Sequence, residues 1–144
     1  MEITVREIQE ADSAAIAELA RTSLGYDCDE ELVKHRIISL KNDNNAMFCA
    51  EYDGKVIGFI HAHIYEVLYF DTMINILGLA VSEKYRRMGA GFLLLKRIEE
   101  WGLERNVKGV RLNSGGQRTW AHEFYRKAGY GNEKVQMRFI KNFR

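Results

Sequence analysis

Residues 84–96 read KYRRMGAGFLLLK: two adjacent arginines, two glycines one residue apart, then a leucine run. A loop that exposes successive backbone N–H groups and feeds into a helix makes an anion site. Those donors have no intrahelical partner, and the positive end of the helix dipole lies there. A side chain at Gly89 or Gly91 would hold a phosphate away from the amides, and glycine also permits the angles of a tight turn. Arg86 and Arg87 add charge-assisted contacts. No Lys-Ser/Thr pair follows the glycines as a P-loop requires, and the third glycine of a dinucleotide fingerprint is missing. Glycines before a helix also serve turns and packing alone, so the rest of the chain has to decide.

Upstream of this stretch, residues 72–81 read as a strand, the third of an antiparallel set. Before it, Asp53-Gly54 forms a two-residue hairpin between a strand at 46–52 and a longer one from Lys55 to about Val67. At the start of the chain, Ile3 and Val5 alternate with polar neighbours as a half-buried strand does. Asp12 then offers an N-cap to a helix with Ile16, Leu19 and Ala20 on one face. Asp29, with Glu30 and Glu31 behind it, caps a second helix carrying Leu32, Val33, Ile37 and Leu40. The acidic run YDCDEE reads as helix capping rather than as a trap for a cationic substrate.

Downstream, Leu94, Leu95, Ile98, Trp101 and Gly102 share one face of a helix running to about Arg105. Val110 and Leu112 mark a short strand, and SGGQR a loop. Residues 119–128 form a helix with Ala121, Phe124, Tyr125 and Ala128 inward, ended by Gly129, and 135–141 form a last strand. The order is β-α-α-β-β-β-α-β-α-β, an α/β unit. With no proline, low-complexity tract or internal repeat, residues 1–144 are expected to be a single domain.

A chain of 144 residues can bury about 70% of the surface its unfolded form exposes. Apolar residues at 47% and charged ones at 28% exclude the disordered class. Lys plus Arg number 21 against 20 Asp plus Glu, so no global field draws in nucleic acid or an anionic membrane, and neither partner is expected. The first residues carry charges where a signal peptide is apolar, and no apolar stretch approaches a membrane span; the expected location is cytoplasmic. Cys28 and Cys49 have neither metal-ligand spacing nor a disulfide framework. They read as small buried hydrophobes, and no metal is expected.

Three segments together carry a family resemblance. Arg86, Gly89 and Gly91 in RRMGAG follow the strand LGLAV and precede an amphipathic helix, AHEFYRKAGY lies farther on, and SGGQR stands before it. Over nearly the whole chain this resembles the GCN5-related N-acetyltransferases (GNAT), which use acetyl-CoA; the SGGQR junction is similar to a bacterial small-molecule subgroup. The resemblance implies a mixed, mostly antiparallel central sheet flanked by helices. It implies that the amides of Arg87, Met88, Gly89, Ala90 and Gly91, with Arg86, grip the pyrophosphate of CoA. Pantetheine would lie along the strand edge at Leu79 and Val81 like an added strand, in a gap where the strands ending near Val81 and Ser114 splay apart. A backbone N–H near Leu79 would polarise the thioester carbonyl.

The family's reaction is direct attack of an amine on acetyl-CoA, with one proton leaving the ammonium and one reaching the departing thiolate. Tyr125 matches the family's tyrosine for the second step: a phenol of pKa about 10 can donate to a thiolate whose acid lies near 8.5. The plainer reading is that Tyr125 packs, four residues after Ala121. For the first proton, Asn75 stands where the histone-modifying branch has a glutamate, and an amide cannot accept it. Glu66, His61, His63 and Asp71 are the alternatives, with Glu66 ranked first; by strand alternation His61 and His63 share one face and Glu66 takes the other. The amine arriving already deprotonated is a further alternative. Arg118 stands where many relatives have asparagine and is read as reaching phosphate or acceptor, and His122 as orienting its loop.

The expected function is acetyl transfer to a primary amine of a small molecule, with a homodimer through sheet edges or terminal strands allowed by the resemblance. The rival from another class is a non-catalytic acyl-CoA-binding or sensing module, motivated by Asn75. Nucleic-acid binding through Lys84, Arg86, Arg87, Lys96 and Arg97 is opposed by the neutral charge balance.

Overall fold

Thr4–Glu7 forms β1, and Arg6 in it ties the sheet to the first helix. Its Nη1 and Nη2 donate to the two carboxylate oxygens of Asp12 at 2.9 Å each, and its Nε to Glu51 at 2.7 Å. Asp12 therefore does not cap the helix directly as expected. Its carboxylate also accepts the Gln9 N–H at 2.7 Å and closes a 3-10 turn, Glu10–Asp12, ahead of α1 (Ser13–Leu24). The cause is competition: two bonds from a guanidinium, charged on both sides and bidentate, outweigh one cap bond from an uncharged backbone N–H. Asp29 behaves as expected, its side chain accepting the Leu32 N–H at 2.8 Å at the start of α2 (Glu30–Ser39).

This computed structural model describes residues 2–144, in two compact parts, one ending at Leu112 and the other Asn113–Arg144. In the first, β2 (Asn45–Tyr52) turns at Asp53 and Gly54 into β3 (Lys55–Val67). Both turn residues have left-handed backbones, φ 52° and 73°, which a type I′ hairpin needs. β4 (Phe70–Val81), α3 (Ala90–Glu104) and β5 (Val110–Leu112) follow. The sheet order is β1-β2-β3-β4-β5, antiparallel throughout except for the parallel pair β4–β5.

Strand alternation gives the sheet two covered faces. On one, Cys49, Phe59 and Ala80 pack with Ile16, Leu19 and Ile37 of α1 and α2. On the other lies α3, with Leu94, Leu95, Ile98, Trp101 and Gly102 buried as their spacing predicts. A Cβ on Gly102 would stand 3.1 Å from Ile74 of β4, so glycine lets helix and sheet close up. Burial pushes the Cys49 thiol up to about 11, which leaves it the inert hydrophobe expected. No helix among the described residues is long and apolar enough to cross a membrane.

The second part holds α4 (Thr119–Lys127), which ends in a Schellman turn: Gly129 at φ 95° donates to the Arg126 carbonyl and Tyr130 to that of Tyr125, both at 3.0 Å. The strand expected at 135–141 is not formed. A strand exists only by pairing, and no ladder includes these residues; Val135 is 98% and Phe139 84% exposed.

Candidate functional site

The glycine stretch begins with a 3-10 turn, Glu83–Tyr85, held by the Tyr85 and Arg86 amides donating to the carbonyls of Ser82 and Glu83. Beyond it Arg87 takes φ 69° and Gly89 φ 91°, and Gly89 is the N-cap residue of α3. Left-handed residues alternating with ordinary ones turn successive N–H groups toward one side, the form of an anion nest, and here the nest joins a helix start. Among the described residues, the N–H groups of Arg87, Met88, Gly89, Ala90 and Gly91 donate to no acceptor. A Cβ on Gly89 would meet nothing within 4 Å, so the loop opens outward there. Five unpaired donors on a positive helix end, flanked by Arg86 and Arg87, fit a diphosphate.

β4 runs past its partner. The ladder with β5 ends at Ile76–Leu112, so residues 77–81 have no strand on that side among the described residues. Leu79, facing Ile60 of β3, and Val81, whose carbonyl accepts the Ser23 hydroxyl at 3.2 Å, lie in this open length. Leu77 is an extra residue there: His61 pairs with Gly78 and Ala62 with Ile76, a bulge of the kind that re-aims the backbone. In the second part, the Ser114 hydroxyl is buried without a hydrogen-bond partner among the described residues.

The face of the sheet that carries Cys49, Phe59 and Ala80 becomes polar two rows on. Asn45, His63, Asn75 and Arg111 stand side by side on β2 to β5, with His61 between this row and the apolar core. Arg111 Nη1 donates to Asn75 Oδ1 at 2.6 Å, its guanidinium lying 4.5 Å over the Tyr65 ring, and Asn75 Nδ2 is 3.1 Å from His63 Nε2. His61 Nε2 is 2.8 Å from Asn45 Oδ1. Both imidazoles lie below the ordinary histidine range. For His61 burial is the main cause and His63 the second; for His63 burial leads and the charge of Arg111 follows. Both are therefore neutral at physiological pH.

Glu66 and Asp71, also named from sequence, lie apart from this cluster. Glu66 is exposed at the register irregularity between Tyr65 and Val67, and Asp71 is exposed near the start of β4. Within the second part, Tyr125 is half-buried against Phe124 and Tyr130, ring centroids 5.2 and 6.1 Å away. Burial raises its phenol above the ordinary value, and the charge of Arg118 opposes this only partly. Arg118 lies over the Trp120 ring, and the His122 ring donates to the Gly115 carbonyl at 2.9 Å, bracing the loop as expected. Asn45 and Arg111 were not singled out in the sequence; only the strand register brings them to the histidines.

The family model for the acetyltransferase (GNAT) family matches residues 13–130. An uncharacterised N-acetyltransferase of Chlorobaculum tepidum is 31% identical over 129 residues, 88% of this chain and 74% of that one. Rat N-acetylaspartate synthetase is 25% identical over 91 residues, 63% of this chain and 29% of its own length. Among solved structures, the aminoglycoside acetyltransferase AAC(6')-Iy, in complex with a bisubstrate CoA analogue, superposes with a TM-score of 0.84 at 18% identity, covering 99% of both chains. Glucosamine-6-phosphate N-acetyltransferase of Arabidopsis thaliana gives 0.81 at 17%, covering both chains fully. The chain belongs to the GNAT family of acetyltransferases, and its activity is N-acetyl transfer from acetyl-CoA.

Proposed function

We propose that this protein acetylates a primary amine of a small molecule by direct attack on acetyl-CoA. The observation that carries the reading is the run of five unpaired amides at 87–91 on the start of α3, beside a strand whose edge is open from 77 to 81. In this reading the amides and Arg86 hold the diphosphate, Leu79 and Val81 pair with pantetheine, and the orphan Ser114 hydroxyl gains a partner in the cofactor arm. A backbone N–H near Leu79 polarises the thioester carbonyl, and Tyr125 protonates the departing thiolate. The family match at 13–130 runs across the boundary at Leu112, which supports one working domain. The protein is taken to act in the cytoplasm.

Amino sugars are the acceptor class to try first, since the superposing enzymes are named for aminoglycosides and glucosamine 6-phosphate. A homodimer is favoured by the exposed apolar side chains of Val135, Met137 and Phe139, which alternate as strand residues do. Asn75 keeps a second reading open, a module that binds acyl-CoA without turning it over. Thiol release from acetyl-CoA across a panel of amino sugars, polyamines and amino acids separates the two. Release dependent on one acceptor class supports the enzyme; tight acetyl-CoA binding with no release from any amine supports the sensing module.

A further inference from the structure

The two histidines on the polar face are locked in opposite tautomers. Asn42 Oδ1 accepts from the Asn44 N–H at 2.9 Å and from Asn45 Nδ2 at 3.2 Å. That fixes the Asn45 amide with its oxygen toward His61, so His61 Nε2 must carry the proton and its lone pair lies on Nδ1. At His63 the logic runs the other way. Arg111 can only donate, so it claims the Asn75 oxygen; Asn75 then presents its NH₂ to His63 Nε2, which must be the lone-pair nitrogen.

These two assignments have unequal consequences for a proton. If His63 took one on Nε2, N–H would face N–H, and Asn75 could not flip without turning its NH₂ onto Arg111. His61 can take one on Nδ1 and keep its bond to Asn45, which strengthens once the ring is charged. His61 also sits directly opposite Gly78, one residue from Leu79 on the open length of β4, whereas His63 is opposite Asn75 within the part of β4 that β5 covers. Gly78 puts no side chain between His61 and that edge, and a Cβ there would touch Leu24 and Phe59 at 3.8 and 3.9 Å.

We infer that His61 Nδ1 is the proton acceptor for the attacking amine, and that Asn45, held by Asn42, is the residue that positions it by fixing its tautomer. The inference rests on the acetyl-transfer reading above and replaces Glu66 in the role. In balance, R–NH₃⁺ gives one proton to His61 Nδ1, and the freed nitrogen lone pair forms the C–N bond at the acetyl carbon. The C–S bond then breaks, its electron pair leaves on sulfur, and the thiolate takes its proton from Tyr125. The amide nitrogen, still R–NH₂⁺– after the attack, gives its second proton to the Tyr125 phenolate and so restores that phenol, and solvent removes the proton from His61.

The experiment uses the whole chain with its best acceptor amine and isothermal titration of CoA. His61→Gln should lower kcat by about 10²- to 10⁴-fold with CoA affinity unchanged. Asn45→Leu should lower kcat, and Asn45→Asp, which still accepts from Nε2, should restore it. Long-range ¹H–¹⁵N spectra of the wild-type protein should show the Nε2–H form at one histidine of this pair and the Nδ1–H form at the other, with His61→Gln assigning the former. Wild-type turnover that survives His61→Gln, or an Nδ1–H form at His61, overturns the inference while leaving the acetyltransferase reading intact. Absence of wild-type turnover with every amine overturns that reading and the role of His61 with it.

Discussion

Tyr125→Phe separates chemistry from packing. The Tyr125 hydroxyl has no hydrogen-bond partner among the described residues, and the ring contacts with Phe124 and Tyr130 are ones a phenylalanine keeps. Folding stability should therefore change by no more than about 0.5 kcal/mol. If the phenol protonates the departing thiolate, losing a positioned general acid lowers kcat by about 10²- to 10⁴-fold, or about 3–5 kcal/mol of transition-state stabilisation. Because burial holds the phenol above its ordinary value, the acid form persists as pH rises, and the wild type should show no loss of this group below about pH 10. The assay is thiol release at saturating acetyl-CoA and amine, read beside thermal unfolding and CoA titration. A variant with wild-type kcat and an unchanged melting temperature would leave Tyr125 as packing alone and refute the reasoning.

Two further outcomes follow from the geometry. Gly89→Ala puts an L side chain at φ 91°, a strain of about 1–2 kcal/mol, with no clash to add since nothing lies within 4 Å. If the free loop relaxes, the strain is read as CoA affinity weaker by about 5- to 30-fold; if the loop holds, it is read as lost stability, and the two readouts together should account for it. Asp12, nearly buried and held by Arg6, has its carboxyl below the ordinary range, the Arg6 hydrogen bonds being the largest cause. Its contribution is complete above the unfolded value near 3.9 and is lost as pH falls through the lower folded value. Asp12→Asn should cost about 2 kcal/mol at neutral pH and flatten the acid limb of stability, checked by denaturant titration between about pH 2 and 7.

Much of this protein is written locally. Asp-Gly with two left-handed residues can only turn a hairpin, the leucine face at 94–102 has one way to be buried, and Gly89 at a helix start leaves amides unpaired whatever surrounds them. Those features rest on backbone sterics and periodicity within a few residues of one another, so the order of elements up to α4 and the loop of unpaired amides at 87–91 were legible in the sequence. Asp12 and the segment at 135–141 were not, because each depends on a partner outside its own element: Arg6 on β1 diverts the cap, and a strand without a neighbour is no strand.

The proton-handling cluster lies wholly on the tertiary side. The hairpin pairs Tyr52 with Lys55 and Glu51 with Val56, and continued without interruption it would set Asn44 against His63. A bulge between Ala50 and Glu51, with Ile57 as the extra residue on β3, shifts the register by one and brings Asn45 there instead, while the bulge at Leu77 aligns His61 with Gly78. A one-residue slip moves every side chain to the opposite face. Which amide holds which histidine, and so which nitrogen can take a proton, was decided only when the strands paired.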